Sequence, residues 1–362
     1  SVMNTQNLWS LNFPPPPFLT MEAVGVDISD HAIKFIEFRQ KDGVRELGLF
    51  GERPLPEGVI IAGELVKQDE LVRELKTLKN ETGFSLVRSC LTESRGYLFQ
   101  TALKNVAPGE ARAAIDFQLE EHVPIARTEA VFDAEPIHQG SGSGDLDFVV
   151  TVFPEKIVAP YLAAFRSAGL FLLSLELEAQ AIARAVIPEK DPKTSMVVDL
   201  GETHTGVSVV SEGVVHYTST IDIAGRSLTA ALSKKISVSS EGAERIKREK
   251  GFSKTKEDEE AFTALMTTAS ALSDEINRRI LYWDTHFKEH CGNSKIEQAY
   301  LCGGNANVLG LANYFAANMS APVSIGNVWT NAFSLDAYVP PLDAVQSRRF
   351  ATAVGLALRS GS

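Results

Sequence analysis

The chain has 362 residues, and at roughly 150 residues per domain that length points to two or three domains. It is 44% hydrophobic and 22% charged with a formal net charge of −11, so it can bury a sizeable core and has the wrong sign for nucleic acid as its main partner. Three cysteines (Cys90, Cys291 and Cys302) without a Cys-x-x-Cys pair fit a reducing compartment, and neither a signal-like start nor a long apolar run interrupts the sequence, so the expectation is a cytoplasmic protein.

Residues 1–21 form a leader with four consecutive prolines, Pro14 to Pro17, which favour an extended arm; Trp9, Phe13 and Phe18 could dock on the body or on a partner. Strands are expected over 23–28, 33–38 and 44–54, the second from its alternation of apolar and charged residues. Residues 68–80 have helical period, with Leu71, Leu75 and Leu78 on one face. Strands over 86–92 and 97–103 precede a helix over 110–122. Two more strands, 131–137 and 146–153, are joined by the flexible run Gly140-Ser141-Gly142-Ser143-Gly144. A helix over 155–168 closes at Gly169. The block 98–172 thus reads as a small inserted α+β domain.

A second half opens with a buried strand over 196–200 and a hairpin, 206–210 and 214–223, through Ser211-Glu212-Gly213. Helices follow over 227–235, 239–250 and 258–290. A strand over 298–301 stops at Gly303-Gly304, a helix covers 307–317, a short strand 323–325, and a last helix 349–358.

Two segments repeat. Val24-Gly25-Val26-Asp27-Ile28-Ser29 and Val197-Val198-Asp199-Leu200-Gly201-Glu202-Thr203 are each an apolar strand ending in Asp, then a small polar turn, then another strand. Two such halves suggest a duplicated domain with a cleft between the copies. Small turn residues expose backbone N–H groups that cradle phosphate oxygens, and a strand-end Asp holds Mg²⁺, usually through water. Leu301-Cys302-Gly303-Gly304-Asn305-Ala306 adds a strand running into glycines, which let backbone approach a flat ligand such as adenine. Taken singly, each of these turns is also an ordinary strand end.

Together these motifs resemble the actin/sugar-kinase/Hsp70 superfamily, and within it the PilM family of type IV pilus assembly proteins, relatives of the division protein FtsA. The match rests on Gly25 to Ser29 with Lys34 and Glu37, Leu175-Glu176-Leu177-Glu178 with Ala181 and Arg184, Val198 to Gly201, Ala243-Glu244 with Lys247, Leu301 to Gly304, and Ala353 to Arg359. It spans about residues 22–359. The resemblance implies an α/β, actin-like (ribonuclease H-like, duplicated) two-lobed fold. Residues 22–97 would open the first lobe (1A), 98–172 would be an inserted 1C-type subdomain, and 173–362 would complete 1A and supply the second lobe (2A/2B).

The resemblance also implies a cleft for ATP and Mg. Asp27 and Ser29 fall in the first phosphate turn, and Asp199, Gly201 and Thr203 in the second, with Asp27 and Asp199 the metal candidates, through water. Gly225, Glu244 and Lys247 would lie on the adenosine side, and Gly303, Gly304 and Asn305 at the adenosine turn. Glu178 would orient a water as the catalytic candidate. Ser29 stands where Gly is frequent, Asn305 for a third Gly, Leu309 for Pro, and Ala224-Gly225 for Gly-Gly; these departures put the rate of any ATP hydrolysis in question.

The function the resemblance implies is a cytoplasmic ATP-binding scaffold that captures the N-terminal tail of a PilN-like membrane protein along residues 98–124. It would sit at the inner membrane through that partner, contact other pilus assembly proteins, and be able to form a homo-oligomer. An FtsA-like division protein or a sugar-kinase-type phosphotransferase are the alternatives. Glu244 with Lys247 also reads as a surface ion pair three apart on a helix, Glu178 as a structural pairing, and His286, His290 and Cys291 as a weak zinc pattern that lacks a second cluster.

Overall fold

The computed structural model describes residues 23–104, 106–137, 146–253, 259–287 and 295–359. The leader, the Gly-Ser run, His290 and Cys291 lie outside them.

The first lobe starts as a meander. Strands β1 (Val24–Ile28), β2 (Ala32–Lys41) and β3 (Val44–Pro54) pair antiparallel. Asp42-Gly43 turns β2 into β3 with positive φ at both residues, the turn that matches strand twist and that Asp-Gly supplies. A small hairpin, β4 (Ile60–Ile61) with β5 (Glu64–Leu65), leads into helix α1 (Gln68–Thr82), which buries Leu71, Leu75 and Leu78 as its period dictates. Gly83 ends it in the left-handed conformation. Strand β6 (Leu86–Leu91) then lies parallel to β1.

The chain next leaves the sheet. Strand β7 (Tyr97–Leu103), helix α2 (Ala111–His122), strand β8 (Ala130–Pro136) and strand β9 (Leu146–Pro154) form a module with its own three-stranded sheet, ordered β7-β9-β8. Leu103, Ile115, Leu119, Val123, Val150 and Val152 make its separate core. Helix α3 (Glu155–Ser167) belongs elsewhere: Ile157, Val158, Tyr161, Ala164 and Phe165 join the first-lobe core beside α1. Helical period located α3, but only packing shows which core its apolar face serves. Strand β10 (Phe171–Leu177) returns parallel to β6 and runs into helix α4 (Glu178–Val186).

The second lobe repeats the plan. Strands β11 (Ser195–Leu200), β12 (Thr205–Ser211) and β13 (Val214–Ile221) form the meander. Helices α5 (Gly225–Ile236), α6 (Ser240–Glu249) and α7 (Glu259–His286) follow, then strand β14 (Gln298–Cys302) parallel to β11. Gly304–Asn307 is a single 3₁₀ turn, and helix α8 begins only at Leu311, later than the sequence suggested, because Gly310 takes a positive φ of 80°. Strand β15 (Val323–Ile325), the single-turn helix α9 (Ala344–Ser347) and helix α10 (Ala351–Leu358) complete the chain.

The two five-stranded sheets share one strand order, β10-β6-β1-β2-β3 and β15-β14-β11-β12-β13, which is the duplication the Asp-ended strands suggested. Helix α10 folds back onto the first lobe. A Cβ on Gly25 would lie 2.0 Å from Ala353 O, and one on Gly355 1.7 Å from Ala181 O, so α10 rests directly on β1 and on α4 through two residues without side chains. Among the described residues, no helix is long and apolar enough to cross a membrane.

Candidate functional site

Parallel strands of an α/β sheet present their carboxyl ends at one edge, and ligands bind there. In the first lobe that edge carries three acids: Asp27 within β1, Glu93 just after β6, and Glu178 just after β10. In the second lobe, β11 carries Asp199 at the corresponding place and β14 ends at Gly303.

Asp27 is buried and faces Lys34, its cross-strand partner, with Nζ 3.4 Å from Oδ2. Burial pulls Lys34 down, but Asp27, Glu52, Glu178 and Asp199 together outweigh it and raise its pKa. A raised lysine pKa in a buried place reports a surplus of negative charge, and here the charge comes from both lobes.

The acids feel the same crowding. Burial, then Glu93, Asp27 and Asp199, push Glu178 well above the usual carboxylate range, against the pull of Lys34; Thr352 Oγ1 donates to Glu178 Oε1 at 3.2 Å. Burial raises Asp199, with Asp27 adding to the shift while His204 and Lys34 oppose it. Asp27, Glu178, Asp199 and Lys34 are thus drawn together.

Glu93 was not among the candidates. Burial raises it to about 7, with Asp199 contributing and the backbone N–H groups of Glu93 and Ala179 holding it back. The N-cap of α4 is Leu177, which has no side-chain oxygen, so a Glu93 carboxylate beside Ala179 N–H serves that helix end. On the other side it lines a small cavity with Asp199, His204, Gly206 and Ser208 of the second lobe. Gly206 faces Asp199 across β11 and β12, and a Cβ there would come within 4.0 Å of Glu93 Oε2. The available signal was a carboxylate two residues past a buried strand, but its meaning depends on β6 lying between β1 and β10, which sequence order does not reveal.

The first turn is closed by Ser29: its N–H donates to Ala32 O at 2.9 Å, and its hydroxyl accepts from Ala32 N at 3.2 Å. Asp30 accepts from Ala62 N at 2.8 Å and Gly63 N at 3.1 Å, which fastens this turn to the neighbouring loop. In the second turn Thr203 Oγ1 lies 3.1 Å from His204 Nδ1, and Gly201 O accepts from Gly225 N at 3.1 Å. Asn305 Nδ2 donates to the same carbonyl at 2.7 Å and packs where a Cβ on Gly225 would stand, 2.2 Å away. The substituted Asn305 therefore ties the third turn to the second, and Gly225 makes room for it.

Gly303 has φ +82°, and a Cβ would meet Asp199 Oδ1 at 2.4 Å and Leu200 O at 2.7 Å. Backbone approaches the Asp199 carboxylate there as only glycine allows. Nothing crowds Gly304, so its missing side chain leaves open space.

Glu244 and Lys247 stand apart from the acids. The almost wholly buried Lys247 Nζ lies 2.8 Å from Glu244 Oε2 and donates to Gly225 O at 3.2 Å. Burial opposes it, but hydrogen bonds from Lys247, Thr229 and Arg248 hold Glu244 down at about 2. The pair is an internal clasp between α6 and α5 that borders the site through Gly225. His286 stacks on Tyr282 at 4.2 Å, and among the described residues no group of three His, Cys, Asp or Glu is arranged to hold a metal ion. The zinc pattern itself includes His290 and Cys291, which lie outside the described residues. The donor set in the cleft still suits Mg²⁺, which takes one or two carboxylates and keeps its remaining waters.

The family model for the type IV pilus assembly protein PilM matches residues 25–361. This chain belongs to the PilM family. Among solved structures, the PilM-PilN type IV pilus biogenesis complex is similar at 22% identity and a TM-score of 0.77, over 94% of this chain and 98% of that one. EutJ, an ethanolamine utilization protein from Carboxydothermus hydrogenoformans, is similar at 16% identity and TM-score 0.55, covering 95% and 91%. MreB 5 of Spiroplasma citri, bound to AMPPNP, follows at 13% identity and TM-score 0.54, covering 92% and 95%. The cell division protein FtsA of Staphylococcus epidermidis is 23% identical over 196 residues, 50% of this chain and 42% of that protein, so the match spans less than half the length of that relative. The actin-like two-lobed α/β fold of the PilM family is the fold found here.

Proposed function

We propose that this PilM-family chain is an ATP-binding scaffold of type IV pilus assembly. It takes Mg-ATP between its lobes and holds the N-terminal tail of a PilN-type membrane protein along the inserted module. The observation that carries the nucleotide reading is the meeting of Asp27 and Glu178 with Asp199 and the backbone of Gly303, from two lobes, around one lysine, with Glu93 against Glu178 and Asp199. Turns 28–32 and 199–205 would cradle phosphate oxygens with backbone N–H groups. Asp27 and Asp199 would hold the metal's water shell, and Mg²⁺, when bound, offsets the negative charge that Lys34 only partly balances. Gly304, whose missing side chain leaves open space, would make room for the flat base. Glu178, on the first turn of α4, would orient a water.

The partner reading rests on family membership and on the neighbour solved as a PilM-PilN complex. The module has a core of its own and joins the first lobe at a groove lined by Arg95, Gly96, Tyr97, Pro154 and Ile157. A tail bound along residues 98–124 would connect this chain to the inner membrane. Calorimetry with Mg-ATP tests the cleft, with Asp199→Ala as control. One-to-one binding weakened by the substitution supports the reading, and an absence of binding to the unsubstituted protein removes it. Titration with a PilN-type tail peptide, with and without ATP, tests the partner; no binding in either state would remove that part.

A further inference from the structure

The two candidate phosphate turns are joined by a contact that the nucleotide reading does not use. Arg226 is the second residue of α5. Its backbone N–H donates to Glu202 O at 2.8 Å, which seats it on the second turn. Its side chain crosses from the second lobe to the first, and Nη2 lies 3.1 Å from Nε2 of His31, on the first turn. His31 is itself fixed: Leu55 N donates to its carbonyl at 2.8 Å, and the neighbouring Asp30 carboxylate is held by Ala62 and Gly63.

The chemistry of this contact is unusual. A guanidinium donates to an imidazole, so two basic groups from opposite lobes meet between the two candidate phosphate turns. The acid beside Arg226, Glu202, is at 3.7 Å with both side chains more than half exposed, a loose pairing in high dielectric. Arg226 therefore keeps most of its fork of donors available. A guanidinium fork matches two phosphate oxygens at once, which an ammonium does not. A terminal phosphate lying between the turns would face it.

The geometry points to Arg226 as the residue that reads the terminal phosphate of the nucleotide and so separates a nucleoside triphosphate from a diphosphate. His31 is a positioning residue that holds the guanidinium across the two turns. This rests on the nucleotide reading above. With a triphosphate present, the guanidinium of the second lobe gains a charged partner shared with the first turn, and the closed arrangement of the lobes is favoured by that added contact. With a diphosphate that added contact is missing and the contact to His31 remains.

The test is calorimetric titration of the whole chain with Mg-ATP and Mg-ADP. Arg226 is exposed, so Arg226→Ala should fold normally, checked by its melting curve. Arg226→Ala should weaken ATP by about tenfold, the loss expected for one charge-assisted phosphate contact, and ADP by no more than about twofold. Arg226→Lys should recover only part of the ATP affinity. Adding His31→Ala to Arg226→Ala should cost nothing further, because His31 acts through Arg226, whereas independent sites add. Equal losses for ATP and ADP, no loss for either, full rescue by lysine, or additive losses would overturn the inference while leaving the cleft a nucleotide site. No binding of either nucleotide to the unsubstituted chain would remove the inference and the nucleotide reading together.

Discussion

Glu93→Gln should stabilise the free protein, and the gain should grow with pH. Glu93 sits at about 7 in the folded chain against an ordinary 4.5. Between those values the folded protein keeps a proton that the unfolded chain has released. Stability from this group is therefore full below 4.5 and falls as pH rises through 7. The difference of about 2.5 pH units corresponds to about 3 kcal/mol at most, and solvent reaching this half-buried side chain reduces it to about 1–2 kcal/mol. Glutamine has the same shape, stays neutral and can still accept from Ala179 N–H. Urea unfolding at pH 5 and pH 8, without nucleotide, reads the effect. The variant should be close to the wild type at pH 5 and more stable by about 1–2 kcal/mol at pH 8. A difference that stays constant or shrinks with rising pH would refute the placement of Glu93 against Asp199 and Glu178.

Other outcomes follow from the same geometry. Gly303→Ala should cost about 3 kcal/mol, from a left-handed backbone and an overlap with Asp199 Oδ1 and Leu200 O, and should weaken Mg-ATP in the same calorimetric titration. Glu244→Gln should cost about 2–4 kcal/mol at pH 7, because it leaves the buried Lys247 ammonium without its carboxylate. Glu244 is held down to about 2, so its contribution is present above 4.5 and lost as pH falls towards 2, and denaturation at low pH should bring wild type and variant together. Ile115→Ala, in the fully buried core of the inserted module, should loosen that module by about 2–5 kcal/mol. It should weaken tail-peptide binding and leave Mg-ATP affinity unchanged; equal loss of both would mean that module and cleft unfold as one unit.

The sequence carried the local plan. Two apolar strands ending in Asp, each followed by a small turn and a hairpin, announced a duplicated lobe, and the matching strand orders bear that out. Helix α1 was legible because Leu71, Leu75 and Leu78 keep one face, but it runs past the expected residue 80 to Thr82, where Gly83 adopts a left-handed φ. The start of α8 was misplaced because nothing in residues 307–310 shows that the chain makes a 3₁₀ turn and then a positive φ at Gly310.

What the sequence determined by itself is what depends on neighbours along the chain: periodicity, turn chemistry, and the presence of Asp27, Asp199 and Gly303 at strand ends. Tertiary structure decided what depends on residues far apart in sequence. It set α3 against the first lobe, laid α10 on β1 through Gly25, and drew Glu93 up to Asp199 across the cleft. It also made Glu244 and Lys247 an internal clasp at Gly225, apart from the acids of the cleft. The physical reason is range: hydrogen bonds in helices and turns are fixed within about four residues, whereas burial, carboxylate crowding and the contact of Arg226 with His31 exist only once two lobes have closed on each other.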